Sequence, residues 1–100
     1  MLRHTVFFWL DETLGEEDKA AFEAGMAALL EIPSVAAGSF GTAAATPERP
    51  VTHNTFDYCL ALEFDDLASH DAYQVDPGHD EFVERFRPWF REVRVFDTEF

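Results

Sequence analysis

The chain is short of cysteine, of positive charge and of long apolar runs, and each shortage closes off a class of function. A lone cysteine, Cys59, among 100 residues rules out an intrachain disulfide framework and makes a reducing cytoplasm the expected setting. Cys59 lies in an apolar run and reads as a small buried hydrophobe rather than a nucleophile. Seven Lys and Arg stand against 20 Asp and Glu, for a formal charge of −13. Such a surface cannot neutralise phosphates, so neither nucleic acid nor an anionic membrane is expected as a partner. No stretch approaches the roughly 20 apolar residues of a membrane span, and the opening MLRHTVFFWLDE reads as a first strand rather than a signal peptide. No glycine-rich loop follows a strand, so no nucleotide cofactor is expected. The four histidines are scattered, show no His-x-x-x-His spacing and have no cysteine partners, so no metal centre is expected either. Acidic loops leave only a weak Mg²⁺ or Ca²⁺ site open.

What is present in excess is phenylalanine, with 11 residues in a 15% aromatic share. A chain of this length makes one domain, residues 1–100, with a small core. Aromatic side chains that such a core cannot hold must line a pocket or a subunit interface.

His4 to Leu10 is β-rich and apolar on both alternating sets. His4, Val6, Phe8 and Leu10 share one face, and Thr5, Phe7 and Trp9 the other. Thr13 and Glu16 have capping-box spacing ahead of a helix whose core stripe is Phe22, Met26, Leu29 and Leu30. Pro33 ends it. Gly25 lies near that stripe, where it either allows helix and sheet to approach or leaves pocket volume. Val35 to Ala44 reads as a second strand, and Thr46 to Asn54 as the longest loop, with His53 at the surface. Thr55 to Phe64 is the clearest strand, with Phe56, Tyr58, Leu60, Leu62 and Phe64 alternating against polar and small residues. Asp65 and Asp66 supply a turn and a cap for a short helix from Leu67 to Gln74, on which His70 is expected to face solvent.

The segment from Tyr73 to Trp89, YQVDPGHDEFVERFRPW, carries the candidate chemistry. Asp76 suits a helix N-cap, Pro77 the first helical position, and His79 the first turn beside an apolar stripe of Phe82, Val83 and Phe86. Pro88 ends or kinks this helix, and Arg91 to Phe100 forms the last strand, with Val93 and Val95 on one face and Phe96 on the other. Helix dipole and apolar walls favour a neutral His79 imidazole; Asp76, Asp80 and the overall charge favour the cation. Equally open is a structural role in which His79 is hydrogen-bonded and holds the Pro-Gly corner.

Strand, helix, strand, strand, helix, strand is the ferredoxin-like order: an α+β fold with an antiparallel sheet and its helices on one face. The Phe7 and Trp9 face would then stay bare, and a symmetric homodimer formed through it is the expected partner arrangement.

In their order, RHTVFFWLDE, DYCLALEFDD, AYQVDPGHDEFV and VRVFD resemble the stress-responsive dimeric α/β-barrel (Dabb) family over nearly the whole chain. The resemblance implies dimers whose sheets close into a barrel. A plant polyketide cyclase related to this family closes a poly-β-ketone by aldol condensation without a cofactor. Its catalytic pair matches Tyr73 and His79, and its first-strand histidine matches His4. Tyr58 replaces a pocket histidine, and Asp76 stands where a histidine often precedes the proline. The candidate site is thus His79 as base and Tyr73 as donor, in a pocket walled by His4, Val6, Phe8, Phe22, Tyr58, Leu60, Leu62 and Phe82. Three functions stay open: a barrel that binds a small apolar or aromatic ligand, a cofactor-free cyclase, lyase or isomerase, and a cofactor-free monooxygenase.

Overall fold

A computed structural model describes residues 1–100. The elements run β1 (Leu2–Leu10), α1 (Glu16–Leu30), β2 (Ala37–Gly41), β3 (Tyr58–Phe64), α2 (Leu67–Gln74), α3 (Pro77–Phe86), a 3₁₀ turn (Arg87–Trp89) and β4 (Phe90–Glu99). The strands form one antiparallel sheet in the order β2-β3-β1-β4. This is the ferredoxin-like arrangement the element order predicts. No helix is long and apolar enough to cross a membrane.

β1 is central. His4, Val6 and Phe8 face Leu62, Leu60 and Tyr58 on one side and Asp97, Val95 and Val93 on the other. Residues directly opposite in an antiparallel pair share a face, so these rows make up the helix-facing surface. Phe22 of α1 packs edge-on against Phe8 at 5.1 Å between ring centroids, and Phe82 of α3 lies 5.5 Å from Phe22. Met26, Leu29, Phe64 and Phe86 also belong to the buried core.

The opposite face carries Phe7, Trp9 and Phe96, with Cys59 beside Phe7 in the register. Phe7 and Trp9 are half-buried and Phe96 is 53% exposed. Phe56 was expected to extend β3 on the Tyr58 face. Instead the strand begins at Tyr58, and Phe56 in the preceding loop packs on the other face, 4.8 Å from Phe7 and 6.2 Å from Trp9. Covering bare aromatic surface there outweighs three more residues of strand pairing. Cys59 is half-buried rather than buried, and desolvation raises its pKa, which keeps the thiol protonated.

Other local expectations shift for identifiable reasons. β2 spans Ala37–Gly41 rather than Val35 to Ala44, its pairing running from Ala37 opposite Glu63 to Gly41 opposite Cys59, one residue from the start of β3. Gly15, not Thr13, caps α1: the Gly15 N–H donates to the Asp18 carboxylate, while Thr13 bonds the Asp11 side chain. The expected caps of α2 and α3 are present, with Asp66 accepting from the Ser69 N–H and Asp76 from the Gly78 N–H, both at 2.8 Å.

Gly25 does allow a close approach, but between two helices rather than helix and sheet. A Cβ there would collide with the Phe86 ring and crowd Phe82 at 3.3 Å. Phe86 is 1% exposed and packs against Phe22, Phe82 and Trp89, so its ring shifts only at the cost of those contacts. We predict that Gly25→Val destabilises the fold by about 2 kcal/mol, since overpacking outweighs the gain from removing a helical glycine. Urea denaturation checks this; an unchanged midpoint would mean that α1 and α3 separate freely.

Candidate functional site

The corner between α2 and α3 is held by Asp76. Its carboxylate accepts the Gly78 N–H, and its carbonyl accepts the His79 N–H at 3.0 Å. The His79 imidazole takes no part: its Nδ1 is buried without a hydrogen-bond partner. The reading in which His79 ties the corner together by hydrogen bonding therefore gives way to one in which the ring is set free by its neighbour. Burial pulls the His79 pKa below its ordinary value, and this outweighs the opposing pull of Asp80 and Asp76; His4 and His70 add to the lowering. Neutral imidazole is the favoured form.

Tyr73 lies between His79 and the first strand. Its ring meets His79 edge-on at 4.9 Å, meets His4 edge-on at 5.9 Å, and stacks on Phe64 at 5.3 Å. The residue is 2% exposed. Desolvation alone raises the phenol pKa, with no hydrogen bond contributing, so the hydroxyl stays protonated and is free to donate. The imidazoles of His4 and His79 flank the ring without bonding its hydroxyl.

His4 is buried, and its Nδ1 lies 2.6 Å from Asp97 Oδ1. No motif singles out Asp97, but a signal is present: it follows Val93 and Val95 at a spacing of two, and antiparallel pairing of the first and last strands puts that face against His4. His70 also departs from expectation. Its side chain is only 15% exposed and its ring centroid lies 5.1 Å from that of His4. A helix packed over the end of β3 has no solvent on that side. Far from being scattered, His4, His70 and His79 gather around Tyr73; only His53 stays apart, exposed in the loop.

A cavity of about 150 Å³ opens between sheet and helices, lined by His4, Val6 and Phe8 of β1, Leu60 of β3, Tyr73 and Gln74 of α2, and His79, Phe82 and Val83 of α3. Leu29, Phe90, Val93 and Val95 complete the wall. Val93 and Val95, on the edge strand, are 38% and 49% exposed, and this is the cavity's open side.

Three expected wall residues lie elsewhere. Phe22 is fully buried beneath the cavity among Phe8, Phe82 and Phe86. Leu62 is fully buried beside Gly38 of β2. Tyr58 turns towards α1, donates to Glu23 at 2.6 Å and borders a separate polar cleft; burial first and that carboxylate second raise its pKa. Alternation puts Tyr58 and Leu62 on the right face and the helical stripe turns Phe22 inward, but lateral position in the layers decides which residues reach the cavity.

A family model described as Stress responsive A/B Barrel Domain (Dabb) matches residues 2–100. No curated protein matches the chain. Among solved structures, a dimeric ferredoxin-like protein of unknown function from Thermobifida fusca is similar at 18% identity and a TM-score of 0.80, covering 99% of this chain and 90% of its own. A Dabb family protein from Mesorhizobium loti is 23% identical, with a TM-score of 0.79 over 98% of this chain and 94% of its own. A hydroxynitrile lyase from Passiflora edulis is 20% identical, with a TM-score of 0.78 over 97% and 90%. At these identities the likeness is one of fold.

We predict that NMR titration places the His79 imidazole below the ordinary value of 6.5. The unfolded chain then takes up this proton first on acidification. Above about pH 6.5 the neutral ring carries no protonation penalty, and stability falls as the pH drops from there through the lowered folded value. The loss of melting temperature from neutral to mildly acidic pH should be smaller in His79→Gln than in wild type. Equal losses would show that burial does not govern this ring.

Proposed function

The chain belongs to the stress-responsive A/B barrel domain family, and we propose that it binds one compact, neutral, largely apolar molecule in the His4–Tyr73–His79 cavity and transforms it by proton transfer. One observation carries this reading: an untied histidine and an untied tyrosine line the same apolar cavity. Buried polar groups are normally paired, and an orphan such as His79 Nδ1 costs about 1–3 kcal/mol. A site that accepts a ligand's oxygen would offset that cost.

The chemistry follows from the protonation states. A neutral His79 takes a proton from carbon next to a carbonyl, and the C–H electron pair moves into an enolate. The Tyr73 hydroxyl, still protonated, donates to the enolate oxygen. The enolate carbon then forms a C–C bond to a second carbonyl carbon, whose oxygen recovers the proton from the imidazolium. Run backwards, the same steps cleave a C–C bond. This is the aldol-type cyclase, lyase or isomerase class.

Volume narrows the substrate. An apolar cavity of about 150 Å³ holds a molecule the size of benzene, which favours a single-ring or smaller carbonyl compound over a long poly-β-ketone. A hydroxynitrile, the substrate class in the name of the Passiflora protein, also falls in this range and carries a hydroxyl proton for a base to remove. No particular residue favours the monooxygenase reading.

The test is a thermal-shift screen of small aldehydes, ketones and hydroxynitriles, followed by turnover assays on the hits. Tyr73→Phe should fold as wild type, since its hydroxyl makes no bond, and His79→Gln should fold as well. Each should cut turnover by about 10²–10⁴-fold. Unchanged turnover in His79→Gln would sink the mechanism, while ligand binding without turnover would leave a binding protein.

We further propose that two copies pair through the Phe7–Trp9 face. The support is physical: Phe7, Trp9, Val51, Phe56 and Phe96 border an apolar hollow of about 350 Å³ there, and a bare aromatic sheet face favours self-association. Solved relatives of this fold are described as dimeric. Sedimentation at micromolar concentration should show a dimer, and Phe96→Glu should weaken it at least about tenfold by exchanging buried aromatic surface for a desolvated carboxylate. A monomeric wild type would overturn the arrangement.

A further inference from the structure

His4, His70 and Asp97 come from β1, α2 and β4 and share only His4 with the cavity wall. One donor atom from each lies within 4.8 Å of the others. The sheet register sets Asp97 directly opposite His4. The third member carries the second observation: His70 Nδ1 lies 3.1 Å from Asp71 Oδ1, while its Nε2 is buried with no partner. A carboxylate on Nδ1 holds the proton there and leaves the Nε2 lone pair directed inward. That is the usual state of a metal-bound histidine, whose second ring nitrogen donates to a carboxylate.

We propose that His4, His70 and Asp97 bind one divalent first-row transition ion per chain, with Zn²⁺ the representative case. Two imidazoles and a carboxylate suit such an ion and are poor ligands for Mg²⁺ or Ca²⁺, which take oxygen donors. Donors bound at about 2.1 Å around a tetrahedral ion stand about 3.4 Å apart. Binding would replace the 2.6 Å His4–Asp97 hydrogen bond by two bonds to the ion and draw in donors that now lie up to 4.8 Å apart. Three protein donors leave a coordination position open, as in catalytic rather than structural zinc sites. Asp97 is 45% exposed, so solvent reaches that position. The charge of −13 raises the local concentration of divalent cations. The ion would stand at the edge of the cavity, beside His4, and would leave His79 unligated. Linear spacing argued against any metal centre because the donors lie on three separate elements.

The test is calorimetric titration of Zn²⁺ into the EDTA-stripped full chain, with Co²⁺ absorption as a second readout. We expect one ion per chain and visible tetrahedral Co²⁺ bands. His70→Ala and Asp97→Asn should each weaken Zn²⁺ by about a hundredfold or more, and Asp71→Asn by about tenfold. His53→Ala, a distant surface histidine, should change nothing. Circular dichroism confirms that each variant is folded, and Asp97, being half exposed, tolerates substitution. The site is overturned by absence of saturable Zn²⁺ binding, by binding that either His70→Ala or Asp97→Asn leaves unchanged, or by ready displacement with excess Mg²⁺.

Discussion

The pairing of β1 between β3 and β4 is the constraint on which the rest of the molecule depends. Side chains alternate along a strand, so register decides which of them meet. With His4 opposite Leu62 and Asp97, the helix-facing surface holds one histidine, one carboxylate and otherwise apolar residues. A slip of one residue in β1 would carry Val6 and Phe8 to the far face and bring Phe7 and Trp9 under the helices. The core and the site are therefore specified by the same hydrogen-bond ladder.

On that platform, the site owes its character to missing partners. Asp76 satisfies the backbone at the α2–α3 corner, which leaves the His79 ring with nothing to bond. Phe64 stacks on Tyr73 and supplies dispersion but no acceptor. Burial then acts on the two groups in ways that suit acid–base work, lowering the histidine pKa and raising that of the tyrosine. Desolvation disfavours whichever form is charged, so a base and a proton donor persist side by side at neutral pH.

Eight of the eleven phenylalanines divide between two tasks. Phe8, Phe22, Phe64, Phe82 and Phe86 are buried under the helices, where edge-on contacts fix the helix positions and the walls of the cavity. Phe7, Phe56 and Phe96 gather on the opposite face. A small domain cannot cover both faces of its sheet with two helical layers. The surplus aromatic surface is the part of the molecule that most needs a partner.

The sequence by itself determined the elements and their faces. Alternation in β1, the caps at Asp66 and Asp76, and the helical stripe of Phe22, Met26 and Leu29 are local patterns set by backbone geometry and by which side chains avoid water. The fold class followed from their order, and Tyr73 and His79 were legible because the Pro-Gly corner keeps them close in the chain. Only the tertiary structure decided what no local pattern encodes. Phe56 crosses to the far face because aromatic surface there was uncovered. Tyr58 turns to Glu23 and away from the cavity because its lateral place in β3 lies under α1. His70 turns inward because α2 packs against the end of β3 beside His4. Asp97 joins His4 across a separation of 93 residues. Such contacts depend on how layers are stacked and how far along a strand each residue sits, and a one-dimensional period carries neither quantity.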